Sequence, residues 1–256
     1  NQPSSSIEVS LLEKVSKEVE NDKTPHFPMF KKSNNTIEKS NGTFEDFFKI
    51  PLIQLYGKYH NITDETILQN TSDKTIQNTT DEILKNMLEQ MILAILTLHH
   101  FGKRKENFND IDLNEFTYIT TDQAKQMYSQ YKIHNNDFYM KNYGYLWIFS
   151  PLDEVENNGY SENNITIHKF EQQEFDDEYT NLVHFLKIKY KNNKTFYKIL
   201  QHLDTLHTET IETLKSEEMF VQKLFKSEHL FNSPSSTPPV EKIINANNTY
   251  VICKDK

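Results

Sequence analysis

The sequence predicts a mainly α protein: a bundle-like helical domain with a small β-hairpin at about 143–170 and flexible termini. Three observations predict it. Within residues 81–101, apolar side chains recur at Ile83, Leu84, Met87, Leu88, Met91, Ile92, Ile95, Leu96 and Leu98, the spacing of a helix. Most of the second half repeats that spacing, with Phe196, Ile199, Leu200, Leu203, Leu206, Ile211, Leu214, Phe220, Val221, Leu224 and Phe225 forming one stripe. Finally, five glycines among 256 residues are few for a sheet-rich fold that must turn tightly at each strand end.

Taken in order, Ile7, Leu11, Leu12, Val15 and Val19 mark a short amphipathic helix. Residues 21–39, with two prolines and polar runs, read as a linker anchored on the core by Phe27, Met29 and Phe30. A membrane-inserted loop at Phe27–Phe30 is the weaker reading beside packing. Residues 1–40 are thus an N-terminal helix plus linker. Residues 44–59 form an aromatic-rich helix with Thr43 as N-cap and a break near Pro51. An imperfect repeat over 61–84 (TDETIL, SDKTIQ, TDEIL) reads as successive helix starts capped by Thr63, Ser72 and Thr80.

Residues 81–101 form the central helix, since 91–98 are apolar nearly all round. Lys85 and Glu89 keep the uncharged run too short to span a bilayer. Gly102 reads as its C-cap and 103–116 as a loop. Ala124, Met127, Tyr128, Tyr131 and Phe138 place another helix over 121–140. Residues 143–149 (YGYLWIF) are the most strand-like run, and 165–170 alternate like an edge strand beyond the Asn158-Gly159 turn, so the two pair as the hairpin. Trp147 belongs to the core. Residues 171–190 form a helix on Phe175, Tyr179, Leu182, Val183, Leu186 and Tyr190. A turn at 191–193 leads into 195–230, one long helix or two with a new cap at Ser216-Glu217-Glu218. The domain spans 41–232; Pro/Ser-rich 233–239 closes it, and 233–256 is a linker and tail in which 248–253 add a strand or stay loose.

A net charge of −9 argues against nucleic acid as partner, because phosphate binding needs concentrated cations, and Lys103-Arg104-Lys105 reads as the densest cluster. Arg104 is the sole arginine among many lysines and asparagines, the composition of an AT-rich, apicomplexan-like genome. The single cysteine, Cys253, excludes an internal disulfide framework and multi-thiolate zinc sites. The chain opens on Asn1 without methionine, which reads as a processed or a recombinant form, so a missing signal peptide says nothing about secretion. Eight Asn-x-Ser/Thr sequons, at Asn34, Asn41, Asn61, Asn70, Asn78, Asn164, Asn193 and Asn247, stand against roughly four expected from composition. That excess favours a secreted or cell-surface protein over a cytoplasmic one.

No arrangement carries a catalytic or metal motif. His99 and His100 diverge by about 100° on a helix, and His202 and His207, five apart, diverge as well. His-Glu-x-x-His, phosphate-cradling glycine loops and a Gly-x-Ser-x-Gly elbow are all missing. Residues 104–115 imitate the end of a calcium loop, but Phe108 and Asn109 occupy ligand and turn positions; Asp110, Asp112 and Glu115 are the place for calcium if any exists. Asp176-Asp177 reads as a helix-dipole pair. The expectation is a non-enzymatic helical interaction protein without cofactor or metal, binding a protein partner, with no nucleic acid and no transmembrane segment. A carrier of an apolar or lipid ligand is the alternative, and an enzyme without recognisable motif the third. Phe220, Leu224 and Phe225 are the expected contact, at the overhanging end of the last helix.

Overall fold

The computed structural model describes residues 19, 21, 23–27, 59–61, 74–100, 103–105, 116–120, 126–133, 135–149, 155–157, 172–213, 223, 225, 236–247 and 249–252. These residues correct the mainly α expectation. Helices α1 (Lys74–His100), α2 (Gln172–Lys189) and α3 (Lys194–Thr213) share the fold with eight strands in three small sheets. Of the described part 51% is helical and 22% strand, a mixed α and β composition.

Helix α1 is the core element. Every residue from Leu84 to Thr97 is buried, as an apolar run on nearly all faces requires. It begins seven residues before the expected start at Asp81, so Thr80 lies inside the helix and is not a cap. Around it pack α2, α3 and the strands Tyr145–Phe149 and Lys103–Lys105.

The largest correction falls on 121–140. The described part of that segment is not a helix but the antiparallel hairpin of β4 (Tyr128–Ile133) and β5 (Asn136–Lys141). Ser129, Tyr131 and Ile133 are buried on β4, Phe138 and Met140 on β5: a period of two that the 3,4-spacing of Met127, Tyr128 and Tyr131 concealed. Asn135 closes the hairpin at φ 64°, a left-handed conformation that asparagine tolerates better than most residues. The loop expected over 103–116 contains β2 (Lys103–Lys105) and the start of β3 (Phe116–Thr120).

Strand β6 (Tyr145–Phe149) lies where expected. It pairs antiparallel with β3, which in turn pairs with β1 (Tyr59–Asn61). The proposed mate at 165–170 lies outside the described residues, and β7 (Val155–Asn157) pairs with β2. Gly144, at φ 87°, makes the left-handed step into β6 that a Cβ would penalise.

The C-terminal segment is not a loose tail where it is described. A short 3-10 helix (Val240–Lys242) leads to β8 (Tyr250–Ile252), which pairs in parallel with β4 and makes it the central strand of a mixed sheet. Ile243, Tyr250 and Ile252 are buried, and the Tyr131 and Tyr250 rings lie 5.0 Å apart. The expected flexible C-terminus is thus built into the sheet, because its apolar alternation matches an open edge of β4.

Helices α2 and α3 follow the sequence reading closely, with the turn at 190–193 between them. Tyr179, Leu182, Val183 and Leu186 face inward from α2, and Phe196, Leu200 and Leu203 from α3. Asn193 caps α3: its Oδ1 accepts from Phe196 N–H at 3.0 Å. No described helix is long and apolar enough to cross a membrane.

Candidate functional site

Polar side chains in the interior converge on the outer edge of β6. Residues 145 and 147 direct their backbone groups away from β3, where no described strand takes them. Gln90 of α1 fills most of that gap. Its Oε1 accepts from Trp147 N–H at 2.8 Å, and its Nε2 donates to Tyr145 O at 3.0 Å and to Asn86 Oδ1 at 2.8 Å. Asn86 Nδ2 donates in turn to Lys141 O at 3.1 Å, so one face of α1 holds both the end of β5 and the start of β6.

His26, from the N-terminal segment, completes the edge. Its Nδ1 lies 3.0 Å from Trp147 O and its Nε2 2.8 Å from Tyr131 Oη. A carbonyl only accepts, so the proton sits on Nδ1, and Nε2 accepts from the tyrosine hydroxyl. Burial lowers the pKa from 6.5 to about 4, against the opposing pull of the Trp147 carbonyl. The imidazole is therefore neutral at pH 7 with both nitrogens engaged, an arrangement that holds strands together and leaves no lone pair for a metal or a substrate proton.

A second buried group lies along α1. Burial raises the Glu89 carboxyl well above its ordinary range; Lys85, one turn earlier, and a hydrogen bond with Asn86 oppose this, and Glu82 adds to it. Glu82 itself accepts from Tyr143 Oη at 2.9 Å. Lys141 stands 5.5 Å above the Tyr143 ring, which brings a cation to the same flank.

The outer surface has a different character at the joined ends of α2 and α3. Between Glu178 and Asp204 there is no acidic residue, while Lys187, Lys189, Lys191, Lys194 and Lys198 all fall in that interval. Lys187 pairs with Asp204 across the helix pair and lies 5.8 Å from the Tyr197 ring. Lys189, Lys191, Lys194 and Lys198 are exposed, as is Ile188 at 60%. Consecutive cations occur instead at Lys103-Arg104-Lys105, which forms β2, whereas the lysines of this cluster are spaced apart in sequence. The signal was a long acid-free window, legible only when lysines three and four apart are counted as neighbours.

The expected contact residues fare differently. Phe225 is fully buried, its ring 6.1 Å from Phe138 of the hairpin, so it is a core side chain and not an overhanging one. Phe220 and Leu224 lie outside the described residues, as do Asp110, Asp112, Glu115 and Cys253. Among the sequons, Asn34, Asn41, Asn70 and Asn164 also lie outside them, Asn61 falls in β1 and Asn78 in α1. Asn247 is exposed in a turn, whereas half-buried Asn193 donates from Nδ2 to Asp81 Oδ1 at 3.0 Å while capping α3. Among the described residues, no three His, Cys, Asp or Glu side chains gather as a metal-holding group.

No family model matches the chain, and neither a curated protein nor a solved structure shows detectable similarity to it.

Proposed function

We propose that this chain is a non-enzymatic interaction protein that binds a protein partner, at the cell surface or after secretion. The observation that carries this reading is the lysine-rich end of the α2–α3 pair. Four exposed cations stand together on a chain whose net charge is −9, and no described residue pairs with them. Concentrated charge of one sign against an opposite background is a recognition feature, because it orients an approaching partner. Interior polar groups point the same way: His26, Gln90 and Asn86 are engaged in holding strands to α1. The sequon excess favours the exterior.

The test uses the full chain immobilised against an extract of its source, followed by size-exclusion chromatography with light scattering. A complex of fixed stoichiometry, displaced by free chain, is the expected result. An apolar ligand released by solvent extraction in about equimolar amount, with no protein complex, would replace this reading by that of a carrier.

A further inference from the structure

We infer that the partner presents an acidic polypeptide segment, which docks across the α2–α3 end with its carboxylates on Lys189, Lys191, Lys194 and Lys198. The inference rests on the protein-binding reading above and gives the partner a chemistry. Lys189 is the last residue of α2, Lys191 sits in the turn, Lys194 opens α3, and Lys198 follows one helical turn later on the same face. All four are exposed. An extended segment crossing this end meets cations from both helices and from the turn.

The two charges on α3 are placed against local preference, whereas Lys189, in the last turn of α2, accords with the helix dipole. A helix N-terminus carries partial positive charge and favours acids, yet the first turn of α3 holds no acid and opens on Lys194. Lys194 and Lys198, at i and i+4, also repel each other. The cap is a neutral asparagine, Asn193, and the carboxylate that reaches it, Asp81, takes up the Asn193 amide. Lys187 is excluded from the docking set because Asp204 already neutralises it. Lys194 and Lys198 thus breach local rules on α3, and such a breach marks a place kept for function.

Charge elsewhere narrows the occupant. Setting the four lysines aside takes the net charge from −9 to −13, so an acidic segment is repelled by the remainder and directed to this end. An anionic membrane fits less well. Stable lipid attachment needs a second signal beside a basic patch, and Ile188 is the sole large exposed hydrophobic described at this end. Against a peptide, Ile188 instead offers one apolar contact within a ring of cations.

The probe is a short fluorescein-labelled peptide of Asp and Glu with one central leucine, titrated into the full chain by anisotropy. Two variants carry the same net charge: Lys194→Gln with Lys198→Gln at the proposed site, and Lys223→Gln with Lys242→Gln at exposed positions on other elements. The first pair should weaken binding about tenfold and the second little. Added salt should weaken the wild type. The melt of the first pair should be unchanged or higher, since a cation leaves the helix N-terminus. Equal weakening by both pairs, or no binding by the wild type, overturns the inference. So does binding of phosphatidylserine vesicles in preference to the peptide, or a wild-type dimer in sedimentation that the first pair dissolves. If the first pair retains the source-derived partner unchanged, the acidic-segment inference fails and protein binding stands. If the wild type forms no complex with any protein, the broader reading fails.

Discussion

The backbone N–H of Trp147 donates to Gln90 Oε1 at 2.8 Å, across 57 residues of sequence. With the bonds from Gln90 to Tyr145 O and from His26 to Trp147 O, it closes the edge of β6 that faces away from β3. Open edges invite pairing with other chains, and here side chains of a helix and of an N-terminal segment cover one. The stability of the fold should therefore depend on a few buried amides more than on any single apolar residue of β6.

Replacing Gln90 by leucine keeps the volume but removes its hydrogen bonds to Trp147 N–H and Tyr145 O. Removing one partner of a buried hydrogen bond costs about 1–3 kcal/mol, so Gln90→Leu should lose about 3 kcal/mol in urea unfolding. A loss below about 1 kcal/mol would show that this edge is not sealed by Gln90.

His26 makes stability depend on pH in a definite window. The unfolded chain takes up a proton below 6.5, whereas burial makes the folded chain refuse it until about 4. Stability from neutral His26 is full above pH 6.5 and declines as pH falls to about 4, by roughly 3 kcal/mol. Imidazole resonances of His26 should stay neutral through pH 5 in an NMR titration. Protonation near 6.5 in the folded protein would contradict the buried arrangement.

Glu89 has the opposite sign. Its folded pKa is raised by burial, so its contribution is fully present below about 4.5 and is lost as pH rises through the folded value. Glu89→Gln cannot ionise and should match wild type near pH 4, then melt progressively higher than wild type as pH increases. Parallel melting curves for the two proteins from pH 4 to pH 9 would refute this.

Asn245 takes the place of a strand residue. Its Oδ1 accepts from Gln130 N–H and its Nδ2 donates to Gln130 O, both at 2.9 Å, which extends the pairing of β4 just before β8 begins. Asn245→Ala should cost about 2 kcal/mol. Asn245→Asp, which can accept but not donate, should cost at least as much at neutral pH and recover on acidification, read from Tm.

The sequence by itself determined the helices that carry their own period. The apolar run of 91–98 has one stable environment, the interior, and α1 lies buried there. Helices α2 and α3, with the turn between them, follow from stripes of Leu, Tyr and Phe. The strand at Tyr145–Phe149 was legible from its run of β-formers. The lysine end was legible too, given a count over helical spacing.

Only the tertiary structure decided the sheets. Met127, Tyr128 and Tyr131 satisfy a helical spacing, while Tyr131, Ile133, Phe138 and Met140 satisfy a strand spacing; local pattern cannot choose between them. The choice falls to pairing with β8, more than a hundred residues later, and to burial of alternate side chains. Strand partners are likewise absent from local sequence, because a ladder joins backbones that carry no signature of one another. His26 shows the same limit in a single side chain. Its place as an edge-sealing residue exists only once Trp147 and Tyr131, each more than a hundred residues away, are folded beside it.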